Sequence, residues 1–203
     1  MVRRTKEDAL ATRDSILDAA ELLFVEQGVS GTTLQHIASA AGVTRGAIYW
    51  HFEDKGALFN AMIERAKMPL EGAMAALDAA ALADPLEALR QYALCVFKLT
   101  LEDPRARRVF EIAILKMEYV RELNAVRERK MQHRGEWMAR CERIVRDGIR
   151  DGHLHAAVKP HAVALGLLVL IEGIVRSWLM EPDFDLLQMG GEIVDTHLGS
   201  LRA

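Results

Sequence analysis

At 203 residues the chain is long enough to bury a sizeable core in one domain or two. A hydrophobic content of 51% beside 27% charged residues excludes a disordered chain, and the wealth of Ala, Leu, Glu and Arg favours helix over sheet. The net charge of −3 excludes a strong global attraction to nucleic acid, so any hold on phosphates must come from a local footprint.

The polar N-terminus through Arg13 does not read as a secretory signal. Arg3, Arg4 and Lys6 cluster in an arm ahead of the first acid, which suits a phosphate backbone or minor groove and equally a solubilising tail. Residues 1–60 nevertheless carry six Lys/Arg against eight Asp/Glu. A first helix is predicted from about Ala9 to Gln27, with Ile16, Leu17, Ala20, Leu23 and Phe24 as its apolar stripe and Gly28 at its end. Arg13, near its start, is a candidate phosphate contact. Glu21 and Glu26 lie on this helix, which is expected to face away from DNA.

The stretch TTLQHIASAAGVTRGAIYWHF, residues 32–52, reads as two short helices joined by a tight turn. Thr32 and Gln35 have the spacing of a capping box, and Leu34, Ile37, Ala38 and Ala41 share one apolar face. Gly42 stands where a left-handed residue ends a helix, and Thr44 caps the second helix. That helix turns Ala47 and Ile48 inward and leaves Arg45, Gly46, Tyr49, Trp50 and His51 outward. A guanidinium, two aromatics and an imidazole suit phosphates and base edges in a major groove, which is the pattern of a helix-turn-helix. The same residues also fit an ordinary helical hairpin in an all-α core. Asp54 caps a fourth helix, and Lys55 in its first turn opposes the macrodipole, which points to a phosphate there.

The fourth helix passes Pro69, where a kink or break is expected, and connects two domains, 1–53 and 54–203. Asp84-Pro85 and Asp103-Pro104 each open a further helix. A long charged helix is predicted over about 118–151. Ala162 to Met180 is the most hydrophobic segment. Glu172 and Arg176 within it argue against membrane insertion, so burial by a second copy of the chain is expected, with Gly166 and Gly173 allowing close approach. The last helix, about 184–201, joins that interface. Cys95 and Cys141 have no partner motif and read as reduced thiols of a cytoplasmic protein.

These motifs resemble the TetR/AcrR family of one-component transcriptional regulators, in the branch of the AcrR- and TtgR-type drug-efflux repressors. GVTRGAIYWHFEDKGALF (Gly42 to Phe59) carries the likeness most specifically, MVRRTKEDALATRDSILDAAELLF extends it, and Asp84-Pro85-Leu86 with the Glu172…Arg176…Trp178 segment supports it. The resemblance implies an all-α homodimer of about nine helices per chain, with an N-terminal helix-turn-helix domain and a C-terminal ligand-binding and dimerisation domain. It implies DNA contacts at Thr33, Thr44, Arg45, Gly46, Tyr49, Trp50, His51 and Lys55, on a near-palindromic operator, and no cofactor. It places a pocket for a hydrophobic or aromatic inducer among Ala66, Leu70, Leu89, Tyr92, Ala93, Val96, Phe110, Ile114, Trp137, Cys141, Leu168, Glu172 and Arg176. Leu115-Lys116-Met117-Glu118-Tyr119 departs from the run His-Lys-Cys-Glu-Phe of relatives in this branch, so the inducer does not carry over. Glu172 is the polar group expected to meet a ligand, with an ion pair to Arg176 as the alternative.

The runner-up is a regulator of a catabolic or other metabolic operon. The other class, a helical-bundle enzyme or metal protein, finds no His-Glu-x-x-His, no Glu-x-x-His and no readable nucleophile set among the residues.

Overall fold

The computed structural model describes residues 6–80, 84–117 and 123–202, without the side chains at 69, 76 and 78–80. Among these the chain is all helix: α1 Lys6–Gly31, α2 Leu34–Ala40, α3 Arg45–His51, α4 Lys55–Ala80, α5 Pro85–Glu102 and α6 Pro104–Glu111. A π-helical turn, Ile112–Lys116, continues α6, and α7 Asn124–Arg150, α8 Pro160–Met180 and α9 Leu186–Gly199 complete the order. Packing divides the chain into two compact units. The first comprises Met1–Ala66 with Arg108–Lys130, the second Lys67–Arg107 with Met131–Ala203. The division is thus not the single cut at 53/54 expected from the sequence: the first unit takes the start of α4 and recruits the end of α6, the π turn and the start of α7.

In the first unit, α1 breaks at Gly28, whose φ of 75° and ψ of 165° lie outside the helical region. Thr32 does not cap α2 as its spacing with Gln35 suggested. It is buried and its hydroxyl donates back to the Gly28 carbonyl at 2.8 Å. Thr33 is the cap: its Oγ1 accepts from the His36 amide at 3.2 Å, and His36 Nδ1 accepts from the Thr33 amide at 3.4 Å. His36 therefore fills the place that Glu or Gln holds in the usual box. Gly42, at φ 67°, makes the left-handed turn into α3, and Thr44 Oγ1 accepts from the Ala47 amide at 3.1 Å. Ile16, Leu17, Phe24, Ile37, Ile48, Leu58, Phe59 and Met62 close one core over these helices. The Phe24 and Phe59 rings meet at 6.0 Å, tilted 45°. Each such side chain contributes roughly 1.5–3 kcal/mol by leaving water, so the short helices α2 and α3 are held by packing rather than by propensity.

In the second unit α5, α8 and α9 pack on one another. Asp84 Oδ1 accepts from the amides of Leu86 and Glu87, both at 3.0 Å, and opens α5 as its Asp-Pro pair predicted. Tyr92, Ala93 and Phe97 of α5 are fully buried. Two glycines permit close approach: a Cβ on Gly190 would lie 2.8 Å from the Phe97 ring, and one on Gly148 2.9 Å from Pro85. α4 runs unbroken through Pro69 to Ala80, so the proline does not end the helix as expected.

Candidate functional site

The first unit presents α3 outward. Its single fully buried side chain is Ile48. Tyr49 is 48% exposed and Trp50 72%, values a folded core would not leave to water without another use. Arg45 and Gly46 are also exposed. Arg45 Nη2 donates to the Tyr49 hydroxyl at 3.0 Å, and its guanidinium lies 5.5 Å from the Tyr49 ring centre, so the two side chains are presented as one unit. The Trp50 indole meets the His51 ring edge-on at 4.5 Å, which half-buries the imidazole. Thr33 and Thr44 are exposed caps at the starts of α2 and α3. Arg13 lies over the Phe52 ring at 5.2 Å, drawn against the helix-turn-helix rather than left free on α1. Arg3 and Arg4 lie outside the described residues.

Lys55 is corrected by its surroundings. It is 6% exposed, and Nζ donates to the Val29 carbonyl at 3.0 Å and the Thr32 carbonyl at 3.2 Å. The ammonium that opposes the dipole of its own helix is compensated by carbonyls just past the Gly28 break in α1. It is an internal tie, not a displayed phosphate ligand.

Glu21 is also not on an outer face. It is fully buried, with one oxygen taken by Arg65 of α4 and the other by Arg108 of α6 at 3.2 Å. Arg65 reaches Asp18 at 2.8 Å and Asp14 at 3.5 Å as well. Burial works against the charge on Arg65, but Glu21 and Asp18 more than offset it and hold its proton more tightly than usual. Sequence reasoning passed over Arg65 and Arg108. The available signal was the spacing of Leu17, Glu21 and Phe24, which puts a carboxylate inside an apolar stripe.

The residues expected to line a ligand pocket are not gathered within either unit. Ala66, Phe110 and Ile114 belong to the first and the rest to the second. Leu89, Tyr92, Ala93 and Cys141 are fully buried, and Leu70, Val96, Trp137 and Leu168 partly so. Glu172 and Arg176 are exposed on α8, on a strip with Val169, Gly173 and Met180. Glu172 therefore does not stand inside a cavity of its own unit, because the helix turns its Ile171, Ile174 and Val175 inward instead. Of the departing run 115–119, Glu118 and Tyr119 lie outside the described residues. The second unit has an open groove of about 500 Å³ elsewhere, between α7 and α8, lined by Met131, Met138, Glu142, Arg146, His161 and Leu165 among others. There Glu142 accepts from His161 at 2.8 Å and also pairs with Arg146, and these partners hold its carboxyl below the usual range.

Two family models match this chain. That of bacterial regulatory proteins of the tetR family covers residues 16–62, and that of the MAATS-type transcriptional repressor C-terminal region covers residues 84–202. The HTH-type transcriptional repressor BepR of Brucella suis is 40% identical over 205 residues, covering 100% of this chain and 97% of its own. NalD, the secondary repressor of the MexAB-OprM multidrug efflux pump in Pseudomonas aeruginosa, superposes with a TM-score of 0.87 at 36% identity, over 97% of this chain and 98% of its own. SmeT, the repressor of the Stenotrophomonas maltophilia efflux pump SmeDEF, superposes in its triclosan complex with a TM-score of 0.80 at 32% identity, over 95% of this chain and 92% of its own. With a tetR-family model over the helix-turn-helix, a repressor C-terminal model over most of the rest and BepR alike along the whole chain, the protein belongs to the TetR family of bacterial transcriptional regulators, a family of regulators and not of enzymes.

Proposed function

We propose that the protein is a ligand-responsive repressor that binds a near-palindromic operator as a homodimer and is released by a hydrophobic or aromatic small molecule, controlling a multidrug efflux operon from the cytoplasm. The observation that carries this reading is the α3 face: Arg45 and Tyr49 joined by a hydrogen bond, beside a Trp50 with no core to fill. Arg45 supplies a bidentate donor for phosphate or guanine, Tyr49 a hydroxyl, and Trp50 an apolar surface for thymine methyl groups. Thr33 and Thr44 position the backbone, and Arg13 and the charges of Arg3 and Arg4 add phosphate contacts. Efflux control is the reading supported by NalD and SmeT, both described as efflux-pump repressors.

Dimerisation is assigned to α8 and α9. Val169, Gly173 and Met180 are exposed on α8, and Met189 on α9. Gly173 has nothing within 4 Å of where its Cβ would be, which leaves room for a close helix–helix approach. Gly166, in contrast, is already used within the chain, with His197 packed over it. A pair of domains held this way presents two copies of α3 to successive major grooves. A ligand induces only if it binds the off-DNA conformer more tightly than the DNA-bound one.

The test is fluorescence anisotropy of a labelled duplex from the DNA upstream of the gene, at two salt concentrations and against a scrambled duplex, followed by titration with triclosan. Specific, salt-sensitive binding is expected, with triclosan serving as a hydrophobic aromatic probe of release rather than as the inducer carried over from a relative. Binding equal on both duplexes would overturn the reading. The interface is tested separately: Gly173→Arg should shift the protein from dimer to monomer by sedimentation, and a dimer that persists would place the interface elsewhere.

A further inference from the structure

The Glu21 cluster does not read as a device for stability. A carboxylate with no exposure has lost its hydration, and both Arg65 Nε and Arg108 Nε are buried without a hydrogen-bond partner among the described residues. Incompletely satisfied buried ion clusters are often matched or surpassed in stability by apolar residues of similar size. Its position in the chain offers a better account. Arg65 is followed by Ala66, where the first compact unit ends along α4, and Arg108 is the residue at which the chain re-enters that unit along α6. Two of the three helical connections between the units, those along α4 and α6, are therefore pinned at their crossing points to the two oxygens of one carboxylate on α1, while α7 makes the third crossing after Lys130. Beyond Arg108 the π-helical turn packs on α1, its Lys116 carbonyl in contact distance of the Gly28 break. Single π turns of this kind concentrate at functional positions. α1 in turn shares the core that seats α2 and α3.

We infer that Glu21 is a positioning residue that couples the ligand state to the DNA-binding unit, by requiring α4 and α6 to keep their places against α1 together. The inference rests on the ligand-responsive reading above. A carboxylate shared by two guanidiniums resists independent movement of either helix: withdrawal of one arginine leaves a buried carboxylate oxygen without its hydrogen bond, so the cluster favours discrete arrangements over gradual ones. Ligand occupancy that moves α4 or α6 is then delivered to α1, and through its core to the seating of α3.

The experiment removes the charges while keeping the packing. A variant with Glu21→Met, Arg65→Met and Arg108→Met is compared with wild type for operator affinity, triclosan affinity, and operator affinity at saturating triclosan. In wild type, triclosan is expected to lower operator affinity on the order of ten- to a hundredfold, within the range usual for allosteric coupling. In the triple variant both separate affinities should stay within about threefold of wild type, while the effect of triclosan on operator binding falls below about threefold. Glu21→Gln should act in the same direction, and Arg65→Lys with Arg108→Lys should restore part of the coupling. A second readout needs no ligand. By linkage, operator binding should slow amide exchange over residues 108–116 in wild type and leave it unchanged in the triple variant. A folded triple variant that triclosan still releases like wild type, or that still shows the exchange effect, would overturn the inference and leave the functional reading intact. Wild type that binds triclosan yet keeps its operator would overturn the reading itself, and a missing exchange effect in wild type would overturn the coupling through α6.

Discussion

Replacing Lys55 by methionine separates two roles that its position in the sequence leaves confounded. Methionine keeps most of the apolar stem, so the change removes chiefly the ammonium and its hydrogen bonds to the carbonyls of Val29 and Thr32, at 3.0 and 3.2 Å. Hydrogen bonds to charged groups contribute about 1.5–3 kcal/mol each. Part of that is returned because a charge no longer has to be buried, leaving an expected loss of roughly 2–4 kcal/mol for the pair. For a chain of this size each kcal/mol moves Tm by about 2–4 °C, so a fall of about 4–16 °C is expected. Stability is to be measured by urea and thermal unfolding at one fixed protein concentration, since a dimer's Tm depends on it. Operator binding is to be followed as the logarithm of affinity against the logarithm of salt concentration. A phosphate contact contributes about 0.9 to that slope. Because Nζ faces the interior, the slope of Lys55→Met should equal that of wild type. A stability within about 0.5 kcal/mol of wild type, together with a slope smaller by about 0.9, would refute the internal tie and restore the phosphate role.

Other expectations follow from the same geometry. Trp50→Ala and Tyr49→Ala remove exposed side chains, so stability should stay within about 0.5 kcal/mol while operator affinity falls by about 1–3 kcal/mol in anisotropy titrations; equal loss of affinity for operator and scrambled DNA would show that neither reads a base. Gly190→Ala inverts the usual gain of alanine in a helix of about 1 kcal/mol. Its Cβ would meet the fully buried Phe97 ring at 2.8 Å, so a loss of about 1–3 kcal/mol in urea unfolding is expected. Asp151, hydrogen-bonded by Arg150, and Glu142, hydrogen-bonded by His161 and paired with Arg146, are both held below the usual carboxylate range. Since their folded pKa values lie below the unfolded ones, near about 4, their stabilisation is complete above that pH and is lost as pH falls through the folded values. Tm should therefore be flat in this respect near neutrality and decline in acid, and Asp151→Asn with Glu142→Gln should flatten the acid limb.

The sequence alone determined the features whose causes lie within a few residues of one another. The Thr44 cap, the Gly42 turn, the Asp84-Pro85 start and the apolar stripes of α1 and α3 are local chemistry, and each is found where its spacing placed it. The outward face of α3 was legible for the same reason: over seven residues, burial of Ile48 decides the direction of Arg45, Tyr49 and Trp50. Even the small error at the α2 cap, Thr33 for Thr32, is a competition between adjacent threonines that a long-range contact settled, since Thr32 is drawn to Gly28 and Leu23. Only the tertiary structure decided where charges go. Lys55 finds carbonyls 26 and 23 residues earlier, and Glu21 finds guanidiniums 44 and 87 residues later. No periodicity encodes such pairings, because a charged side chain on a helix is compatible with solvent, with a ligand, or with an opposite charge that the fold brings from elsewhere. The same holds for Glu172, whose apolar helix is plain in the sequence but whose exposure depends on which side α5 and α9 cover. The recruitment of residues 108–130 into the first unit was hidden for a related reason: membership of a core is set by packing across the chain, whereas sequence pattern reports only which residues need one.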